Sequence, residues 1–361
     1  MTSRSFIAIL LLPPLFVLAP AAAAQSSWTD SIKLSGDTRI RYESIDAEGS
    51  DKRDRSRFRA RFGLEARPAD DLKLVFRFAT GDGSPVSTNL TMDDGFSAKQ
   101  ILVDRAYVDW RVNDLWNVRV GKMKNPWFRA GGTPLVWDSD LNPEGVAALF
   151  KSENYFGSIS VMSVEERSAA DDSLLFSVQG GWTGNLRNEG TLTAGMSLYN
   201  YGDTRGNAPF YDGDANGNSI DGTGNYVSDY QLIELFAEYK TVLNDLPLTV
   251  YADTVQNIGA DTSQDMAYTI GATIGKASAR GAAQVGYAWL DTEADAVVGT
   301  FNDSDFAGGE TDSSGHLIQA KYAVRDNVTL GGTLIIAERA ESLGSGSDYN
   351  RLMLDIAFSF E

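Results

Sequence analysis

The side chains in this sequence that could do chemistry are mostly arginines and carboxylates. There is one histidine, His316, and no cysteine. A nucleophile–base pair and a zinc site both call for more than that. No glycine-rich phosphate motif leads from a strand into a helix. Arginine, by contrast, is concentrated in the first third of the chain: Arg39, Arg41, Arg57, Arg59, Arg61, Arg67, Arg77, Arg105, Arg111 and Arg119, together with Lys73. Most stand at alternate positions within short segments. Such a file can pair with carboxylates such as Glu43, Glu65 and Asp109, or it can set the selectivity of an ion pathway. Like charges on neighbouring strands are tolerated only where water screens them or anions stand opposite.

Three acidic segments could answer the arginines. The stretch 125–144 carries Asn125-Pro126-Trp127-Phe128, then Asp138, Asp140 and Glu144. If it turns into a lumen, its carboxylates face the arginine wall; if it stays outside, they are ordinary surface acids. The run Asp212, Asp214, Asn216, Asn218 and Asp221 places oxygen donors in the spacing of the first half of a calcium loop. Thr223 stands where that loop requires a bidentate Glu, so calcium in an external loop competes with a plain Asp/Asn/Gly turn. The stretch 291–312 holds Asp291, Glu293, Asp295, Asp303, Asp305, Glu310 and Asp312 without a basic residue. It reads as a solvated acidic loop, or as a divalent-mediated contact with an anionic lipopolysaccharide leaflet.

Strands must position these groups. Leu352, Leu354, Ile356, Phe358 and Phe360 alternate with Arg351, Met353, Asp355, Ala357 and Ser359, which puts an apolar face against a largely polar one. The same period runs through 32–43, 57–67 and 72–79, with arginines on the non-apolar face each time. Further strands are expected near 101–112, 116–122, 145–151, 155–164, 173–183, 191–200, 230–241, 247–255, 266–276, 281–291, 316–325, 328–338 and 349–360. That makes about sixteen, weakest at 145–164, where alternation is poor. Tight turns such as Asp70-Asp71 and Asn244-Asp245 alternate with long connections near 43–56, 80–100, 122–144, 200–229, 291–315 and 339–348. Short turns at one end and long loops at the other define an all-β transmembrane antiparallel barrel. Tyr42, Trp110, Trp116, Tyr239, Trp289 and Tyr322 sit near the ends of apolar faces, where interfacial aromatics belong.

Arg4, the apolar run from Phe6 to Leu18 and Ala21 to Ala24 form a secretory signal, 1–24, ahead of one barrel domain, 25–361. That run is too short to span a bilayer as a helix. Net charge is −18, or −19 without Arg4, which excludes a general affinity for nucleic acid. Export without cysteine leaves stability to the strand ladder and the core. A Gram-negative outer membrane is the compartment these features fit.

The sequence resembles the proteobacterial putative porins. The resemblance is carried by Asp104-Arg105-Ala106-Tyr107-Val108-Asp109-Trp110, Val120-Gly121-Lys122 with Asn125-Pro126, and Asn207-Ala208-Pro209-Phe210-Tyr211-Asp212-Gly213. Glu293-Ala294-Asp295-Ala296-Val297, Ser304-Asp305-Phe306 and Gly315-His316 add to it. It covers the mature chain and implies a sixteen-stranded, trimeric barrel without cofactor, passing small hydrophilic solutes and ions by diffusion. A general or mildly anion-preferring channel is the leading expectation. A phosphate- or anion-selective porin, a surface adhesin or receptor, and a soluble exported β-protein are the competitors.

Overall fold

The computed structural model describes residues 31–361 apart from 169, 187–188, 341 and 343–345. The expected signal, 1–24, lies outside the described residues. Sixteen strands form the barrel: β1 (Lys33–Ala47), β2 (Arg53–Ala69), β3 (Leu72–Thr80), β4 (Ile101–Arg111), β5 (Trp116–Lys122), β6 (Glu144–Lys151), β7 (Tyr155–Glu165) and β8 (Ser173–Leu186). They continue with β9 (Gly190–Tyr201), β10 (Gln231–Leu243), β11 (Leu246–Asn257), β12 (Met266–Gly275), β13 (Ala283–Thr292), β14 (Ser313–Arg325), β15 (Val328–Arg339) and β16 (Ser347–Phe360). Each pairs antiparallel with its neighbours in sequence. The sheet closes where β16 meets β1, in register from Gly36 opposite Phe360 to Ala47 opposite Tyr349. Closure leaves no strand edge for lipid to meet, as hydrocarbon requires of any strand structure that spans it. No helix among the described residues is long and apolar enough to cross a membrane.

Outward positions carry the lipid-facing side chains, among them Ile40, Phe62, Phe76, Leu198, Ile270, Leu334 and Phe358, all exposed. Tyr42 donates to Asp54, and Trp110 donates to Asp71 at the opposite rim. The short turns are set locally. Asn244 and Asp245, at φ 49° and 64°, join the paired Leu243 and Leu246, the left-handed pair that a two-residue hairpin turn demands.

The long connections are L1 (48–52), L2 (81–100), L3 (123–143), L4 (166–172), L5 (202–230), L6 (258–265), L7 (293–312) and L8 (340–346). L1 is much shorter than the expected 43–56. β1 and β2 stay paired as far as Ile45 opposite Arg53, beyond the point where their outward residues turn polar. β6 and β7 are present despite their poor alternation, and the reason is physical. Their inward residues Ala147 and Met162 are buried in an apolar cluster inside the barrel, beside the small buried Ser158 and Ser160, so no charged residue marks the lumen face of this wall. A two-residue ribbon, Leu90–Thr91 of L2, pairs with Arg57 and Phe58 of β2 above the end of the short β3.

Candidate functional site

Three long loops fold into the lumen. L3 crosses it: Trp127 donates its indole N–H to Ser177 at 2.8 Å, the backbone of Phe128 exchanges two hydrogen bonds with Gln179, and the Gly131 N–H reaches Glu238 at 2.9 Å. At its tip Gly131 has φ +62°, and a Cβ there would stand 2.1 Å from the Tyr251 ring, so only glycine lets the loop seat on β11. Behind the loop, Trp127 stacks on Trp137 with centroids 4.3 Å apart, and both meet Tyr199 edge-on. Tyr201 and Phe210 stack with Phe301 of L7. These rings bury the side of the lumen facing β6–β10, leaving a passage along β12–β16 and β1. Each ring contributes on the order of 2–3 kcal/mol by leaving water, so this half of the lumen is filled by packed side chains.

L7 is bound to L3. The Asp138 N–H donates to the Phe301 carbonyl, and the Asp138 carboxylate accepts from the Ser304 N–H at 2.9 Å. Ser304 in turn donates to the Val86 carbonyl of L2. The acidic stretch 291–312 is therefore neither a solvated external loop nor an outer-leaflet contact. Its Ala296, Val297, Val298, Phe306 and Ala307 are buried against the lumen, and its acids meet partners inside. Asp295 accepts from Ser219, Ser228 and Thr262, fastening L7 to L5 and L6. Asp305 accepts from Arg41 at 2.9 Å and Arg351 at 2.8 Å.

The expected arginine wall exists. Arg39, Arg41, Arg57, Arg59, Arg61, Arg77, Arg105 and Arg119 face the lumen, and the register sets Arg39 opposite Arg59, Arg41 opposite Arg57 and Arg77 opposite Arg105. Arg55 and Arg351 also belong to it. Arg55 lies in a part of β2 read as loop, and Arg351 was visible as the polar alternate of Leu352. Arg111 does not belong: it is exposed at the short-turn rim, where its side chain donates to the Asp70 carbonyl. Arg67 and Lys73 pair with Glu65 at the same rim.

Carboxylates offset most of this repulsion. Asp355 takes Arg41 in a two-pronged contact at 2.8 and 2.9 Å. Glu43, fully buried, is shared by Arg55 and Arg351. Asp37 holds Arg59 and Arg61, Asp104 holds Arg77, and Asp109 holds Arg119. Of the expected constriction acids, only Asp140 faces the wall, 3.2 Å from Arg61 and 3.8 Å from Arg59. Asp138 is buried at the L3–L7 joint instead, and Glu144 is exposed on β6 beside Lys122. Residue spacing could not show this, because a loop without regular dihedrals has no fixed side-chain direction.

Burial, with Asp303 beside it, holds the Asp138 carboxyl well above the usual range. Burial and neighbouring Asp305 push Asp303 up to about 6. Asp305 is drawn the other way, below the usual range, because the Arg351 and Arg41 charges outweigh its own burial. Lys124, at the root of L3, is lowered by burial and by Arg105, Arg119 and Arg129 around it.

The candidate calcium residues serve the loop's own fold. Asp212 accepts from the Asp214 N–H, Asp214 from the Asn216 N–H, and Asp221 from Thr223 and Asn225. Asn218 is buried, donating to the Ala294 and Val297 carbonyls and accepting from the Gly299 N–H. Among the described residues no group of three or more His, Cys, Asp or Glu side chains is placed to hold a metal ion.

A cavity of about 380 Å³ lies open between the L3 tip, the Asp303–Asp305 corner of L7 and the wall from β12 to β1. Arg39, Arg41, Lys321 and Asp355 line it, with Thr273, Gln284, Gln319 and Thr333. A closed, lipid-faced barrel whose charged lumen is narrowed by inserted loops defines an outer-membrane diffusion channel. The chain belongs to the putative porin family, whose model matches residues 46–231 and 214–360. No curated protein matches the sequence. Among solved structures, the Pseudomonas putida porin OprB in its high-pH form is similar at a TM-score of 0.62 and 11% identity, over 92% of this chain and 95% of that one. A triple mutant of the Rhodopseudomonas blastica porin is similar at 0.53 and 12%, over 91% of this chain and all of that one. At such identities the likeness is one of fold.

Proposed function

We propose that this porin is a mildly anion-preferring diffusion channel for small hydrophilic solutes. One observation carries the preference. Ten arginines (Arg39, Arg41, Arg55, Arg57, Arg59, Arg61, Arg77, Arg105, Arg119 and Arg351) line the wall, whereas seven carboxylates (Asp37, Glu43, Asp104, Asp109, Asp140, Asp305 and Asp355) contact them. Among the described residues Arg105 hydrogen-bonds only the Asn142 carboxamide, and Lys321, exposed in the passage, forms no ion pair. Surplus fixed charge on a pore wall concentrates the counter-ion.

The test is single-channel conductance of detergent-purified protein, with the reversal potential read across a KCl gradient. Discrete steps with an anion-selective sign are expected. A cation-selective sign, or a folded barrel without conductance, overturns the reading. Export through a signal removed after Ala24 belongs to the same proposal, supported by Arg4 and the apolar run behind it; N-terminal sequencing should begin at Gln25. The family resemblance supports a homotrimer in a lipopolysaccharide-bearing leaflet, checked by native mass measurement.

A further inference from the structure

The wall beside the open cavity is ordered in rows across the strands. One row runs Thr273, Gly286, Gln319, Thr333, each opposite the next in the ladder. The adjacent row runs Gln284, Lys321, Gly331, Asp355, Arg41. Thr273, Thr333, Gln319 and Gln284 have no hydrogen-bond partner among the described residues, although polar side chains elsewhere in the lumen are densely bonded to one another. Their hydroxyl and carboxamide groups are left for whatever passes. Lys321 is also unpaired. Next to it the wall is indented, because Gly331 has no side chain, and a Cβ added there would meet only the Asp355 Cβ at 3.5 Å. In the following row Ala323, Thr329 and Ala357 stand opposite one another and lead to Arg39. Arg39 donates one Nη to the Asn89 carboxamide at 2.7 Å, and the carboxylate nearest its other Nη, that of Asp355, is 4.0 Å away.

The carboxylates bordering this space are already engaged. Asp355 is held by Arg41, Asp305 by Arg41 and Arg351, and Asp303 accepts from the Asp305 N–H. An incoming anion therefore meets Lys321, Arg39 with its closest hydrogen bond to a neutral carboxamide, and a row of neutral hydrogen-bonding groups above them.

We propose that the recess between Lys321 and Arg39 is a binding subsite for small polyhydroxylated carboxylates: the carboxylate lodges on the two cations, and the hydroxyls exchange bonds with Gln319, Gln284, Thr273 and Thr333. This rests on the channel reading above and specifies its solute class. A bare carboxylate uses only the cations and an uncharged polyol only the neutral row, so each alone binds more weakly than the two joined.

The experiment measures block of KCl current through the purified barrel by gluconate, acetate and sorbitol. Gluconate should block saturably, at a lower concentration than acetate, with sorbitol near inert. K321Q should still open in discrete steps, with its reversal potential moved toward cations by the lost charge, and need about tenfold more gluconate for half-block, the factor that about 1.4 kcal/mol represents. K321R should restore the wild-type value. Equal block by acetate and gluconate, or K321Q blocked like wild type, overturns the subsite while leaving the channel intact. Absence of KCl steps in the folded wild type overturns the channel reading and the subsite together.

Discussion

Replacing Asp305 by Asn tests whether L7 forms part of the conduction path. Asp305 is about a quarter exposed and joins Arg41 at 2.9 Å to Arg351 at 2.8 Å, both on the barrel wall. Each arginine keeps a second acid, Asp355 for Arg41 and Glu43 for Arg351, so neither is stranded in D305N. The loss is therefore confined to the tether. Two charge-assisted bonds of about 1.5 kcal/mol each, reduced for partial solvent screening, come to roughly 2 kcal/mol. That corresponds to a factor of about 30 in the ratio of docked to undocked L7. It also leaves the passage one unit more positive. Single-channel recording should show larger or noisier steps and a reversal potential shifted toward anions. E310Q is the control: Glu310 lies on the same loop but pairs with Arg339 outside the cavity, and its trace should match wild type. If D305N has wild-type conductance, noise and reversal potential, L7 does not bound the path, and the packing argument that places it there is refuted.

Two other outcomes follow from the same wall. Replacing Arg57, Arg59 and Arg61 together by Gln leaves Asp37 and Asp140 without their arginines; selectivity should move toward cations, and unchanged reversal potentials would remove these arginines from the pore. The pH dependence is set by Asp303, which titrates near 6 beside Asp305 and Asp138. Its raised value means that the folded state favours the protonated carboxyl, so its contribution to loop docking is greatest in acid and falls as pH rises from about 4 through 6. Lowering pH from 7 to 5 removes one negative charge at the cavity and should strengthen anion preference, and D303N should lose that component in reversal-potential titrations.

Period-two alternation made the strands legible because a barrel wall faces two different solvents, and it failed only where the physics differs. At β6 and β7 the lumen side meets packed side chains instead of water, so alternation fades although the strands form. The sequence leaves the direction of L3 open between inward and outward, and the fold sets Asp140 against Arg61 and Arg59 while Asp138 and Glu144 lie elsewhere. L7 was misread because its acids were judged against their sequence neighbours, none of which is basic. Their partners, Arg41 and Arg351, lie on strands at the opposite ends of the chain. A usable signal was the apolar content interleaved with those acids, Val297, Val298, Phe301 and Phe306, which a solvated loop has little reason to carry. The spacing of Asp212, Asp214 and Asn216 has two uses, since Asp and Asn at alternate positions also bond the backbone two residues on, and Asp212 and Asp214 make those local bonds here.

The seam between β1 and β16 joins the earliest strand to the last, and the charged pairs of the passage straddle it. Arg41 meets Asp355 across it, Glu43 meets Arg351 across it, and Asp305 bridges both sides. Contacts this distant in sequence form late in folding, since closing the whole chain is the step with the greatest entropic cost. Before the seam closes, Arg41 lacks Asp355 and Arg351 lacks Glu43, and the seat that Asp305 takes between the two arginines does not exist. The last hydrogen-bonded ladder to form therefore also fixes where L7 sits in the passage.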